Sequence, residues 1–118
     1  MLFTHEIDSA YWHEWELFRL PGGIQVFVLV HIPLIIIFLV GFKRVILNET
    51  GAYLYSLVTA GLGVFAFIIH ATFLALGYAQ FRTPVSLALL ACILIVSLLQ
   101  GGLVLRALDT TSTTYIQS

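Results

Sequence analysis

Residues 24–42 read IQVFVLVHIPLIIIFLVGF, an apolar run of 19 residues without a single Asp, Glu, Lys or Arg. A helix rises about 1.5 Å per residue and needs roughly 20 apolar residues to cross the hydrocarbon layer of a bilayer. The stretch therefore reads as a transmembrane helix. Two runs of the same kind follow, AYLYSLVTAGLGVFAFIIHATFLAL at 52–76 and VSLALLACILIVSLLQGGLVL at 85–105. Helix is the only form open to them. Backbone polar groups inside a bilayer must find internal partners, and three strands cannot close a barrel.

Composition agrees. Of 118 residues 60% are hydrophobic and 9% charged, and the mean hydropathy is +1.04. A soluble domain carries about a quarter charged residues. Five basic and six acidic side chains cannot cover a globule, but they can cap a bundle whose sides face lipid. The net charge of −1 and the lack of a basic run argue against a nucleic-acid partner. A single cysteine, Cys92, allows no internal disulfide and no Cys-based metal site. Met1 to Glu6 has neither a basic stretch nor a long apolar one, so no cleavable signal peptide is expected.

The expected architecture is one all-α membrane domain over residues 1–118. It has an amphipathic interfacial helix at 1–20, transmembrane helices at 24–42, 52–76 and 85–105, and a polar, mobile tail at 109–118. Pro21-Gly22-Gly23 separates the leader from the first span, and Lys43, Arg44 and Asn48-Glu49-Thr50-Gly51 separate spans one and two. Residues 77–84 turn the chain into span three, with Thr83 as N-cap and Pro84 at the first helical position. Lys43, Arg44 and Arg106 outnumber Arg19 and Arg82. By the positive-inside rule the N-terminus is then outside and the C-terminus in the cytoplasm of a prokaryotic membrane.

In the leader, Phe3, Ile7, Tyr11 and Phe18 share one side at helical spacing, whereas His5, Ser9, Trp12 and Glu16 share the opposite side. Trp12, Trp15 and Tyr11 are types favoured at headgroup depth and read as interface anchors. Glu14 and Glu16 would ordinarily be solvated there.

The chemistry lies in the histidines. His5 and His13 stand among Glu6, Asp8, Glu14 and Glu16, while His31 and His70 lie inside spans. Because consecutive spans are antiparallel, His31 and His70 come to about 10–14 Å below the same surface, the one that bears the leader. An ionisable group within a span is expensive and suggests function. His70 continues a stripe of small residues, Ser56, Ala60 and Gly63, of the kind found where membrane helices approach closely. His31 shares its face with Phe27, Val28, Leu34, Ile35 and Phe38. Pro33 should release a carbonyl near Leu29 and leave a hydratable patch beside His31. Ser86, Ser97 and Gln100 form a polar stripe on span three, where Gln100 is expected to join helices.

Imidazole nitrogens and carboxylate oxygens suit a divalent zinc, iron, manganese or copper ion. The candidate metal ligands are His5, His13, His31, His70 and Glu14. Glu6 or Asp8 would be the general base if the ion activated water for a membrane-embedded hydrolase. Each in-span histidine has a plainer reading as a neutral imidazole hydrogen-bonded to a neighbouring helix.

Thr4-His5-Glu6-Ile7-Asp8, then His13-Glu14-Trp15-Glu16-Leu17, then Phe27 and His31, resembles a family of small prokaryotic membrane proteins of unknown function. The resemblance covers residues 4 to 42. It implies that His5, Glu6, Asp8, Glu14, Trp15 and His31 are hallmark positions, and that the Thr-His-Glu motif ends a transmembrane helix. Only Met1-Leu2-Phe3 precede it here, so a half-span is either lost or supplied by a neighbouring subunit. Three functions are therefore expected: a metal-binding membrane protein, an accessory subunit or homo-oligomer, or a haem or pigment protein with His31 and His70 as axial ligands.

Overall fold

The computed structural model describes residues 1–78 and 82–116, with side chains through Thr110. The described residues form five helices in order: α1 (Leu2–Tyr11), α2 (Glu14–Leu17), α3 (Gly23–Ile46), α4 (Ala52–Ala75) and α5 (Pro84–Ile116). Among the described residues three of these, α3, α4 and residues 84–110 of α5, are long and apolar enough to cross a membrane. Their outer faces expose Ile24, Leu29, Ile36, Phe65, Leu98 and Leu103 among many others. Apolar cover on that scale is untenable in water and natural in lipid, so the chain is an integral membrane protein.

The spans begin and end for local reasons. Gly22 and Gly51 take positive φ at the N-caps of α3 and α4, a conformation glycine adopts without steric cost. Thr83 caps α5 as its position predicts: Ser86 N donates to Thr83 Oγ1 at 3.1 Å. The helix then runs through the expected polar tail as far as Ile116. Residues 79–81 and 117–118 lie outside the described residues.

α4 and α5 form the closest pair in the bundle, and the small-residue stripe explains why. Ser56, Ala60, Gly63 and His70 are the buried residues of α4. A side chain at Gly63 would collide with Ser97 Oγ on α5. Gln100 Nε2 donates to both Ser56 O and Ser56 Oγ at 3.1 Å, the helix-to-helix tie its position suggests.

The leader is helical but broken and placed differently from expectation. α1 does not lie flat across the end of the bundle. Trp15 packs on Phe27, Glu6 reaches His31, and Phe3 packs on Phe38, so α1 runs antiparallel along α3. Phe38 lies about 22 Å along α3 from Gly23, and Met1 and Leu2 stand beside Thr59, Ser97 and Gln100. α1 therefore penetrates more than half the depth of the bundle.

Its faces are arranged accordingly. His5 and Ser9 are buried against the spans, while Ile7 is 70% and Tyr11 73% exposed. A polar face turned inward and an apolar face turned outward suit a helix flanked by lipid.

Candidate functional site

The site is made by the way the leader folds back on itself. α1 ends at Tyr11, and His13 takes φ +54°, the left-handed conformation, at the N-cap of α2. A non-glycine residue there is uncommon and costs energy. The reversal swings Glu14 and Trp15 into the bundle, where Glu14 is 3% and Trp15 8% exposed. This corrects the expectation of a solvated Glu14 and of Trp15 as a headgroup anchor. Glu16, by contrast, is exposed.

Glu14 Oε1 lies 2.8 Å from His70 Nε2. On the other side of the same ring, Nδ1 is 2.7 Å from the Ala66 carbonyl. A carbonyl only accepts, so Nδ1 carries a proton and donates it. The remaining hydrogen bond, between Nε2 and the carboxyl, then holds one shared proton: imidazolium with carboxylate, or neutral imidazole with carboxylic acid. The pair is neutral overall in both forms.

The same device recurs on α3. His31 Nδ1 donates to the Phe27 carbonyl at 2.6 Å, and His31 Nε2 lies 2.6 Å from Glu6 Oε2. The carbonyl engaged is that of Phe27, one turn before His31, rather than that of Leu29 below Pro33.

His5 joins the first pair. Its ring meets the His70 ring edge-on, with centroids 4.5 Å apart, and the residue is 4% exposed. Neutral imidazole is the form that accepts a proton or ligates a metal.

These residues share one cavity of about 400 Å³. His5, Glu6 and Ser9 line it from α1, Glu14 from α2, His31 from α3 and His70 from α4, with Phe27, Leu34, Phe38, Leu62 and Phe65 among the apolar remainder. Of the residues singled out from sequence, the structure brings together His5, Glu6, Glu14, His31 and His70. It leaves out His13, exposed and tilted against the Trp15 ring, and Asp8, which does not line the cavity. Ser9 was missed as a site residue, although its position four residues after His5 places it on the same helix face.

The break at His13 generates a prediction. His13→Gly removes the left-handed strain and should hold or raise the thermal unfolding temperature in detergent, by an amount corresponding to about 1 kcal/mol. His13→Val should lower it by at least as much. The reverse order would show that the backbone does not turn there.

No curated protein and no solved structure matches this chain. A family model, described as a family of unknown function, DUF6713, matches residues 1–107, which includes the leader, the first two spans and most of the third. With α1, α2 and both histidine-bearing spans all inside that match, the chain belongs to the family of unknown function DUF6713.

Proposed function

We propose that this chain is a membrane-embedded binding protein that exchanges protons with its ligand through two histidine–glutamate dyads. The observation that carries the reading is the Glu14–His70 hydrogen bond, 2.8 Å long between side chains with at most 5% exposure. With Nδ1 tied to a carbonyl, only one proton position in the dyad can change. Moving it between Nε2 and the carboxyl alters no net charge inside the bundle, so the exchange avoids the cost of creating an isolated ion there. A ligand in the cavity that brings or takes a proton meets Glu14–His70 and Glu6–His31 on the same walls. Lys43, Arg44 and Arg106 lie toward the other end of the spans, and the positive-inside rule supports a reading in which the dyads belong to the outer half of the membrane.

Histidine ¹⁵N NMR of the protein in bilayers tests this. His70 should keep a proton on Nδ1 at every pH while the proton on Nε2 comes and goes. Glu14→Gln preserves a hydrogen-bond donor toward Nε2 but cannot exchange a proton, so it should hold His70 in the neutral Nδ1–H form throughout. A wild-type His70 lacking the Nδ1 proton contradicts the reading.

A second reading uses the same cluster as a centre for zinc, iron, manganese or copper. It is favoured by the burial of His5, Glu14 and His70 side by side. Among the described residues, no three His, Cys, Asp or Glu side chains already converge as a metal cage. His70 Nε2 would have to exchange Glu14 for the ion. Elemental analysis decides: about one metal per chain, lost in both His5→Ala and His70→Ala, establishes the centre, whereas metal-free protein with an intact fold removes it.

Association with further membrane subunits or a second copy accommodates either reading. The groove that α1 occupies continues past its tip as a cavity of about 480 Å³ beside Gly41, Ser56, Thr59 and Gln100.

A further inference from the structure

The Glu6–His31 dyad is a partition with two sides. One side faces the cavity shared with Glu14 and His70. The other faces a groove of about 430 Å³ formed only by α1 and α3. Leu2, Glu6, Phe27, His31, Leu34 and Phe38 line both. Beyond the dyad, the groove is walled by Phe3, Ile7, Ala10, Val28, Ile32 and Ile35. Ile7, Val28, Ile32 and Ile35 are themselves exposed on the outside of the bundle, where the bilayer lies. The groove therefore opens sideways into lipid, at the depth of Glu6, and its volume falls in the roughly 300–1,000 Å³ range of small-ligand sites.

Charge identifies the occupant. The groove presents one carboxyl, Glu6, and one imidazole, His31, and among the described residues no Lys or Arg lines it. An anionic head would meet the Glu6 carboxyl with no lysine or arginine to hold it. A cationic head finds a partner.

We infer that the α1–α3 groove takes a single-chain amphiphile with an ammonium head directly from the bilayer, with its alkyl chain along Ile7, Ile32 and Ile35 and its head on Glu6. The inference rests on the dyad reading and names the ligand class for it. As the ammonium donates to the Glu6 carboxylate, the proton shared with His31 is released to water and His31 stays neutral with Nδ1 bonded to Phe27. The arriving positive charge is balanced by the proton that leaves, and the buried site ends neutral.

A diazirine-bearing long-chain primary amine, photolysed with the protein in nanodiscs and mapped by mass spectrometry, tests the inference. Adducts should concentrate on residues 2–10 and 27–38, and excess dodecylamine should compete whereas dodecanol and laurate should not. Glu6→Gln should cut the labelling at least tenfold. Ile35→Trp, which fills the groove from its lipid-facing side and leaves the dyad intact, should do the same. Labelling spread evenly over all lipid-facing residues, or competition by laurate as strong as by dodecylamine, overturns the inference. The His70 NMR signature is read on ligand-free protein, so a failure of the dyad reading and a failure of the groove are seen separately.

Discussion

A carboxyl and an imidazole sealed between apolar helices must satisfy each other, and among the described residues no lysine or arginine lines the cavity they share. That requirement organises the amino-terminal half of the molecule. Glu14 reaches His70 only if the chain reverses at His13, and Glu6 reaches His31 only if α1 lies along α3. Each histidine spends its other nitrogen on a carbonyl of its own helix. The tautomer and the ring orientation are thereby set before any partner arrives. What remains adjustable in each dyad is a single proton, and a bundle with few charges can tolerate that movement because the dyad stays neutral.

The spans were legible because their signal is thermodynamic and local. Nineteen consecutive uncharged residues from Ile24 to Phe42 admit little else, and the stripe Ser56, Ala60, Gly63, His70 pointed to the buried face of α4. Counting along antiparallel helices also placed His31 and His70 at one level, and both line the same cavity. The sides of α1 were separable too: Phe3, Ile7 and Tyr11 on one, His5 and Ser9 on the other. Which side turns inward was not legible from periodicity. An amphipathic helix buries its apolar face in water and at an interface, but presents that face outward when lipid surrounds it, and the pattern of residues is identical in both cases. The fate of Glu14 was hidden for a different reason. The reversal at His13 is coded by neither glycine nor proline, so a reader following turn chemistry continues the helix and leaves Glu14 and Trp15 at the surface.

α4 and α5 are joined by close helix approach, with Gly63 against Ser97 and Gln100 across to Ser56. The cavity bordered by α1 and α2 collects His5, Glu6, Glu14, His31 and His70. The spans thus carry His31 and His70, while α1 carries His5 and Glu6 and α2 carries Glu14. A site assembled in this manner is preorganised on its span side and adjustable on its leader side, an arrangement suited to a ligand that enters laterally and exchanges a proton on arrival.

A double-mutant cycle addresses the pairing of Glu14 with His70 directly. Unfolding free energies in mixed micelles would be compared for wild type, Glu14→Ala, His70→Ala and the double variant. Side chains in direct contact couple by about 0.5–3 kcal/mol, and a buried hydrogen-bonded pair should lie in the upper half of that range. Each single truncation should then destabilise the protein nearly as much as both together. Strictly additive effects, with coupling near zero, would mean that Glu14 does not meet His70 and that the leader is not folded into the bundle as described.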